Sequence, residues 1–339
     1  MKYVESINLS LHHIFQNYSN AIIIGEDIKD PYGGAFKVTK SLSDKYGDRV
    51  ISTPISEASI VGLGVGMALN GHKPIVEIMF GDFITLCADQ IINGAAKFPW
   101  MYGDKVTVPM IIRTPMGGRR GYGPTHSQSL ESLFFNIPNI NIYAPSIFND
   151  PGQMLIEIFN NSDILSLFIE NKISYPKKLI EISSSENNDG YIIEKESIDY
   201  GSEIITITLE KQNKPDVTIV TYGGMTEFCV KAMEVVYMEE EIVVEVISLS
   251  KIKPIEKEFI SNKITNNMQR LLVVEEGCSA AGWSSMVLSQ LNDYTHQSLL
   301  KPPSILGALN YPIGSAPSLE NHILPDENDI IDSIIKLME

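Results

Sequence analysis

Twice along this chain, short apolar runs of strand length alternate with longer runs of helical character, and one polar stretch divides the two series. This alternation is the strongest constraint on the fold. Parallel strands cannot be joined by tight turns and need a crossover, usually a helix, between each pair. In the first series, 21–24, 73–80, 108–113, 140–144 and 165–169 read as strands. Their near-continuous apolar character predicts burial on both faces. Segments 60–69, 84–96 and 152–160 read as the intervening helices. Polar turn-formers follow at 183–190 (SSSENNDG) and 211–216 (KQNKPD), around a short strand-like piece. A second series then sets strands 217–222, 242–247 and 271–274 against helices 226–238 and 329–337. The expectation is two α/β domains, 1–185 and 216–339, joined by a linker region over 186–215. A length of 339 residues allows each domain its own core.

Charge and cysteine content narrow the partners. Asp and Glu number 42 against 26 Lys and Arg, giving a net charge of −16. Such a surface repels nucleic acid and anionic membranes and attracts basic partners. No apolar run reaches membrane-spanning length. The first twenty residues lack the basic region and apolar run of a secretory signal. Cys87, Cys229 and Cys278 are far apart and without metal-ligand spacing, which argues against a disulfide framework or a zinc site. A cytoplasmic globular protein is expected.

Two residues draw chemical interest. Glu57 follows Thr53-Pro54-Ile55-Ser56 and opens an apolar, glycine-rich segment. An acid in a first helical turn is favoured by the helix dipole whatever its role. A functional role needs an apolar pocket around the carboxylate, which Ile55, Ile60 and Val61 could line. His126 lies in a glycine-rich loop between Thr125 and Ser127, with Ser129 close by. It reads either as a loop hydrogen-bonder or as a histidine whose tautomer those hydroxyls fix. Arg119 and Arg120 in the same loop are either a solvated pair or an attractor for a substrate carboxylate or an acidic carrier domain. Phe83 is plain core or a packing face for a flat heteroaromatic ring. The run Gly62-Leu63-Gly64-Val65-Gly66 imitates a dinucleotide fingerprint, but its glycines fall inside a helix rather than between strand and helix. Close helix packing explains them better. No phosphate-binding or magnesium signature occurs, so the phosphates of any cofactor must be held elsewhere.

Read together, TPISEASIVGLGVGMALNG (53–71), EIMFGDF (77–83), DQIINGAAKFPWMYG (89–103), RTPMGGRRGYGPTHSQSLE (113–131), DVTIVTYGG (216–224) and LLVVEEGCSAAGW (271–283) resemble the beta subunit of the decarboxylating component of 2-oxo acid dehydrogenase complexes. That group includes the pyruvate, branched-chain and acetoin enzymes. The resemblance covers nearly the whole chain. It implies a transketolase-like fold: a pyrimidine-binding α/β domain with a parallel sheet, then a smaller C-terminal α/β domain. It further implies thiamine diphosphate at the interface with an alpha subunit of an α2β2 heterotetramer, with diphosphate and Mg2+ held mainly by alpha. On that pattern Glu57 activates the aminopyrimidine, Met79 and Phe83 line the ring pocket, His126 handles protons or substrate charge, and Glu26 joins an acidic proton path. Relatives also carry a structural K+ near the positions corresponding to 109–114 and 160–163. The spacing of Asn160-Asn161-Ser162-Asp163 departs from that pattern, so no metal ligand is assigned.

The function implied is oxidative decarboxylation of a pyruvate-like 2-oxo acid and acyl transfer to a lipoyl group. A lipoyl acyltransferase core is the further partner implied; the acidic C-terminal residues Glu320, Asp326, Glu327, Asp329, Asp332 and Glu339 read either as its docking surface, as in relatives, or as a solvated acidic surface. Two alternatives stand beside it. One is transfer of the same activated group to a carrier protein, aldehyde or sugar, suggested by the arginine-rich loop. The other is a non-catalytic regulatory subunit of the same fold.

Overall fold

The computed structural model describes residues 1–182, 190–210, 214–267, 270–295 and 299–339. Strands β1 (Ala21–Glu26), β2 (Val50–Thr53), β3 (Lys73–Glu77), β4 (Ile111–Met116), β5 (Ile140–Tyr143) and β6 (Leu165–Asn171) are parallel, in the spatial order β5-β6-β4-β3-β1-β2. The helices of this half are α1 (Tyr3–Asn17), α2 (Leu42–Tyr46), α3 (Glu57–Leu69), α4 (Phe98–Met101) and α5 (Pro151–Asn161). Helix α1 turns Tyr3, Ile7, Leu11 and Ile14 inward against Met154, Leu155 and Ile158 of α5. Helix α5 starts where Asp150 accepts from the amides of Gly152 (3.0 Å) and Gln153 (3.1 Å), with Pro151 in the first turn. Helix α3 covers the other face. A side chain at Gly64 would stand 2.8 Å from Met110 Sδ and 2.9 Å from Val76 Cγ2, so only glycine lets α3 lie this close to the sheet.

The second half has a six-stranded sheet. Its strands are β7 (Ile192–Asp199), β8 (Ser202–Thr208), β9 (Val217–Tyr222), β10 (Val244–Leu249), β12 (Leu271–Cys278) and β13 (Ser304–Ala308), in the order β13-β12-β9-β10-β8-β7. The intervening β11 (Lys251–Lys253) instead crosses to the first sheet and pairs antiparallel with β5, stitching the halves together. Helices α6 (Met225–Glu240) and α10 (Glu327–Met338) pack on each other, as do α7 (Lys257–Asn266) and α8 (Trp283–Thr295); α9 (Pro317–Ile323) lies just before α10.

Three expectations need adjustment. Residues 192–208, expected within a linker, form the β7–β8 hairpin of the second sheet. Ile204, Ile205 and Ile207 bury against it, and polar flanks hid a genuine strand pair. Residues 183–189 and 211–213 lie outside the described residues. Strand β4 starts at Ile111 rather than 108, after Pro109, which has no N–H to donate to a ladder. The expected helix 84–96 is a 3₁₀ segment, Gly81–Cys87, followed by a π segment, Gln90–Ala95. That difference shapes the site, because 3₁₀ winding aligns side chains three apart.

Candidate active site

Glu57 stands where β2 turns into α3. Ser56 keeps a non-helical backbone (φ −168°, ψ 84°), and Glu57 is the first helical residue. Its side chain is buried (7% exposed), and no donor among the described residues reaches its carboxylate. Ile60 and Val61 are buried beneath it, as expected. Ile55 is not part of that wall: it points outward, 80% exposed. The Glu57 carboxylate oxygens stay open to solvent, and its neighbours register the charge. Glu26, at the end of β1 in register with Thr53, has its pKa raised by burial first and then by Glu57 and Asp27. Burial, with a smaller push from Glu57, carries the Cys87 thiol up to about 12.

His126 is reached from the other side. Phe80 and Phe83 flank the 3₁₀ turn three residues apart, and both rings meet the imidazole edge-on, at 4.9 and 5.1 Å between centroids. Thr125 Oγ1 lies 2.9 Å from His126 Nδ1. Met79 sits half-buried just before Phe80 and makes none of these ring contacts. Asp82 ties the 3₁₀ segment to the loop by accepting from Gln128 Nε2 at 2.8 Å. Glu26, Glu57 and Phe83 thus stand at or after the carboxyl ends of β1, β2 and β3, where open α/β sheets place ligands, and His126 packs on Phe83.

The two arginines part company. The Arg119 guanidinium donates to the carbonyl of Pro325 and lies 4.3 Å from the Phe228 ring, a contact with the second domain. Arg120 is exposed, over the faces of Phe36 (5.4 Å) and Tyr122 (5.9 Å). Glu320 also departs from expectation. It is buried (3% exposed) and faces the loop, so it is not part of an acidic outer surface.

Comparisons with known proteins bear on the family and the fold. The model for "Transketolase, pyrimidine binding domain" matches residues 1–178, and that for "Transketolase, C-terminal domain" matches 207–330. A pyruvate dehydrogenase E1 component subunit beta-1 from Arabidopsis thaliana is 32% identical, covering 96% of this chain and 86% of the relative. The same subunit type from Cyanidium caldarium is 31% identical over 99% of this chain and 97% of its own. The beta subunit of an acetoin:2,6-dichlorophenolindophenol oxidoreductase from Cupriavidus necator is 30% identical over 98% and 96%. The chain belongs to the family of 2-oxo acid dehydrogenase E1 beta subunits. A solved split-gene transketolase, an inactive beta4 tetramer, shares the fold at a TM-score of 0.73 and 17% identity, covering 100% of this chain and 98% of that one.

Within this E1 beta subunit, two carbonyls at the turn considered for K+ are already taken by a side-chain cation. The ammonium of Lys73 donates to the carbonyls of Phe159 (2.8 Å) and Asn160 (3.3 Å), so a cation already caps the end of α5. Among the described residues, no group of three or more His, Cys, Asp or Glu could hold a metal, and no helix is long and apolar enough to cross a membrane.

The sequence reading missed Lys172. Fully buried, it donates to the His126 carbonyl and lies 5.3 Å from the Phe80 ring. Burial lowers its pKa to about 8, while Asp82, Glu276 and Glu320 pull the other way. Its folded pKa lies below that of a free lysine. The unfolded chain therefore binds more protons from about pH 8 to the free-lysine pKa of about 10.4, and this group's contribution to stability rises across that window. Lys172→Met should thus melt at or above the parent at pH 7. Its advantage should shrink as pH rises toward 10, and thermal melts at pH 7, 8.5 and 10 check this. An advantage that grows with pH overturns it.

Proposed function

We propose that this chain is the catalytic beta subunit of a thiamine-diphosphate-dependent 2-oxo acid dehydrogenase, sharing its active site with an alpha subunit. The observation that carries the reading is Glu57, a largely buried side chain at the carboxyl end of β2 whose carboxylate opens to solvent and takes no hydrogen bond from a described residue. An aminopyrimidine ring nitrogen is the partner such a carboxyl group lacks: it accepts the Glu57 proton and, once protonated, donates back to the carboxylate, and the residues present fit that group. Phe83 and Met79 would flank the ring, and Glu57 would hold a proton at its nitrogen. Thiamine diphosphate supplies the carbanion chemistry when bound. Glu26, its own proton held more tightly by burial and by Glu57, supports a proton path into Glu57. His126, braced at Nδ1 by Thr125 and edge-on to two phenyl rings, presents Nε2 to move a proton during decarboxylation and acyl transfer. A lipoyl group on an acyltransferase core is the proposed acceptor.

The alpha partner is supported by exposed apolar side chains in the same half as Glu57. Ile55, Leu86 and Trp100 are 80%, 58% and 77% exposed, large apolar side chains left open to solvent in the pyrimidine-binding half. Diphosphate and Mg2+ then belong to alpha.

The test is affinity purification of the tagged chain from its source cells, native mass determination, and an assay of the purified assembly for 2-oxo acid-dependent dye reduction. An α2β2 mass with activity is expected; a beta-only assembly without activity overturns the reading. In the active assembly, His126→Ala should lower acyl transfer to a lipoyl domain by roughly 10²–10⁴-fold, the usual weight of a positioned acid–base group. It should reduce decarboxylation no more than that. Unchanged acyl transfer removes His126 from the mechanism.

A further inference from the structure

The loop that carries His126 is shaped from outside, by the second domain. Between Gly117 and Gly123, four residues have left-handed backbones: Gly117 (φ 93°), Arg119 (66°), Gly121 (67°) and Gly123 (79°). Three are glycines, for which this is free; Arg119 is not, and needs outside support. That support comes from buried carboxylates on the C-terminal half. Glu320 of α9 accepts from the amide of Arg119 at 2.6 Å with one oxygen and from that of Gly121 at 3.1 Å with the other. Glu276 of β12 accepts from Gly118 at 2.6 Å. Hydrogen bonds to ionised carboxylates are the stronger and more directional kind. The glycines record the same contact sterically. A side chain at Gly123 would stand 2.5 Å from Ser315 Oγ, one at Gly121 3.3 Å from Ser315 O, and one at Gly118 would collide with Leu324. The Arg119 guanidinium, on Pro325 and Phe228, closes the clamp.

We propose that Glu320 is a positioning residue, through which the C-terminal domain holds the His126 loop in its working conformation. The proposal rests on the reading of His126 given above. Glu320 acts through His126 and does not touch substrate. The loop reaches His126 three residues after Gly123, and Lys172 and Asp82 hold its far end, so the Glu320 clamp is one of two supports on opposite sides.

The test is a double-mutant cycle in the assembled enzyme, with Glu320→Ala, His126→Ala and both together, measuring kcat and KM for acyl transfer. Glu320→Ala should lower kcat by roughly ten- to a hundredfold, as ångström-scale misplacement of a catalytic group does, with KM changed little. Glu320→Gln, which keeps an acceptor oxygen, should recover part of that loss. The double variant should be no worse than His126→Ala alone, since two residues acting as one do not add. Multiplicative losses, or a Glu320→Ala enzyme with normal kcat, overturn the proposal. If His126→Ala alone is fully active, the fault lies with the role of His126 and not with the clamp. Should Glu320→Ala fail to assemble, Gly118→Ala, whose added carbon would stand 2.4 Å from Leu324 Cδ1 and 3.2 Å from Glu320 Oε1, presses on the same contact from the loop side and must show a loss in kcat; normal kcat there overturns the proposal.

Discussion

Glu57→Ala is expected to abolish 2-oxo acid-dependent dye reduction, by roughly 10²–10⁴-fold or more, while leaving the protein as stable as the parent or more so. The two halves of that expectation share one cause. The Glu57 carboxylate takes no hydrogen bond from a described residue, so its removal orphans no donor. It also relieves a like-charge contact, since Glu57 helps raise the pKa of Glu26. A site in which a stabilising substitution destroys activity is one where stability has been given up for function. Glu57→Gln, which keeps shape and loses the charge, should be nearly as inactive. Measuring dye reduction, melting temperature and native mass on the same preparations separates the outcomes. Full activity in either variant ends the role of Glu57, and loss of the assembly would mean the carboxylate is structural.

How far the sequence led can be judged residue by residue. The strands of the first sheet were legible because they are buried on both faces, and a parallel strand so placed leaves a near-pure apolar run whatever its neighbours. Glu57 and His126 were legible as candidates through their flanks, Pro54 and Ser56 before the helix, glycines and hydroxyls in the loop. Properties set by partners distant in sequence were not. The two arginines are adjacent in the chain, yet one docks on Pro325 and the other stays in solvent, a division decided by contacts some 200 residues away. Glu320 looked like one more acid in an acidic tail, and only packing shows that it faces inward. Phe80 gave no sign that it would join Phe83 against His126, because a 3₁₀ turn and an α-helix share much the same composition. One missed feature did leave a signal. Glu77, Arg113 and Glu170 each stand in or at the end of an apolar strand, and charges at positions buried on both faces must be paired with one another.

That pairing leads to the largest structural effect expected here: Arg113→Met should destabilise the chain by about 3–5 kcal/mol, the cost of breaking a buried ion pair from one side. Arg113 Nε and Nη2 donate to the two oxygens of Glu170 at 2.7 and 2.8 Å, and Nη1 donates to Glu77 at 2.9 Å. All three side chains are at most 2% exposed. Burial pushes the pKa of Glu77 up, and Arg113 pulls it back down. The carboxylates in turn hold the site's surroundings: Glu77 Oε1 accepts from the Ala35 amide at 2.7 Å, and Glu170 accepts from Tyr175 at 2.6 Å. Lysine should not substitute, because a single ammonium cannot reproduce three N–H donors in a fixed plane. If the loss comes from uncompensated charge, Glu77→Gln and Glu170→Gln added to Arg113→Met should restore part of it, whereas a loss from packing alone should deepen. Urea unfolding of the parent, single and triple variants decides between them. A melting temperature within about 2 °C of the parent for Arg113→Met would show that the three charges contribute far less than their burial and geometry require.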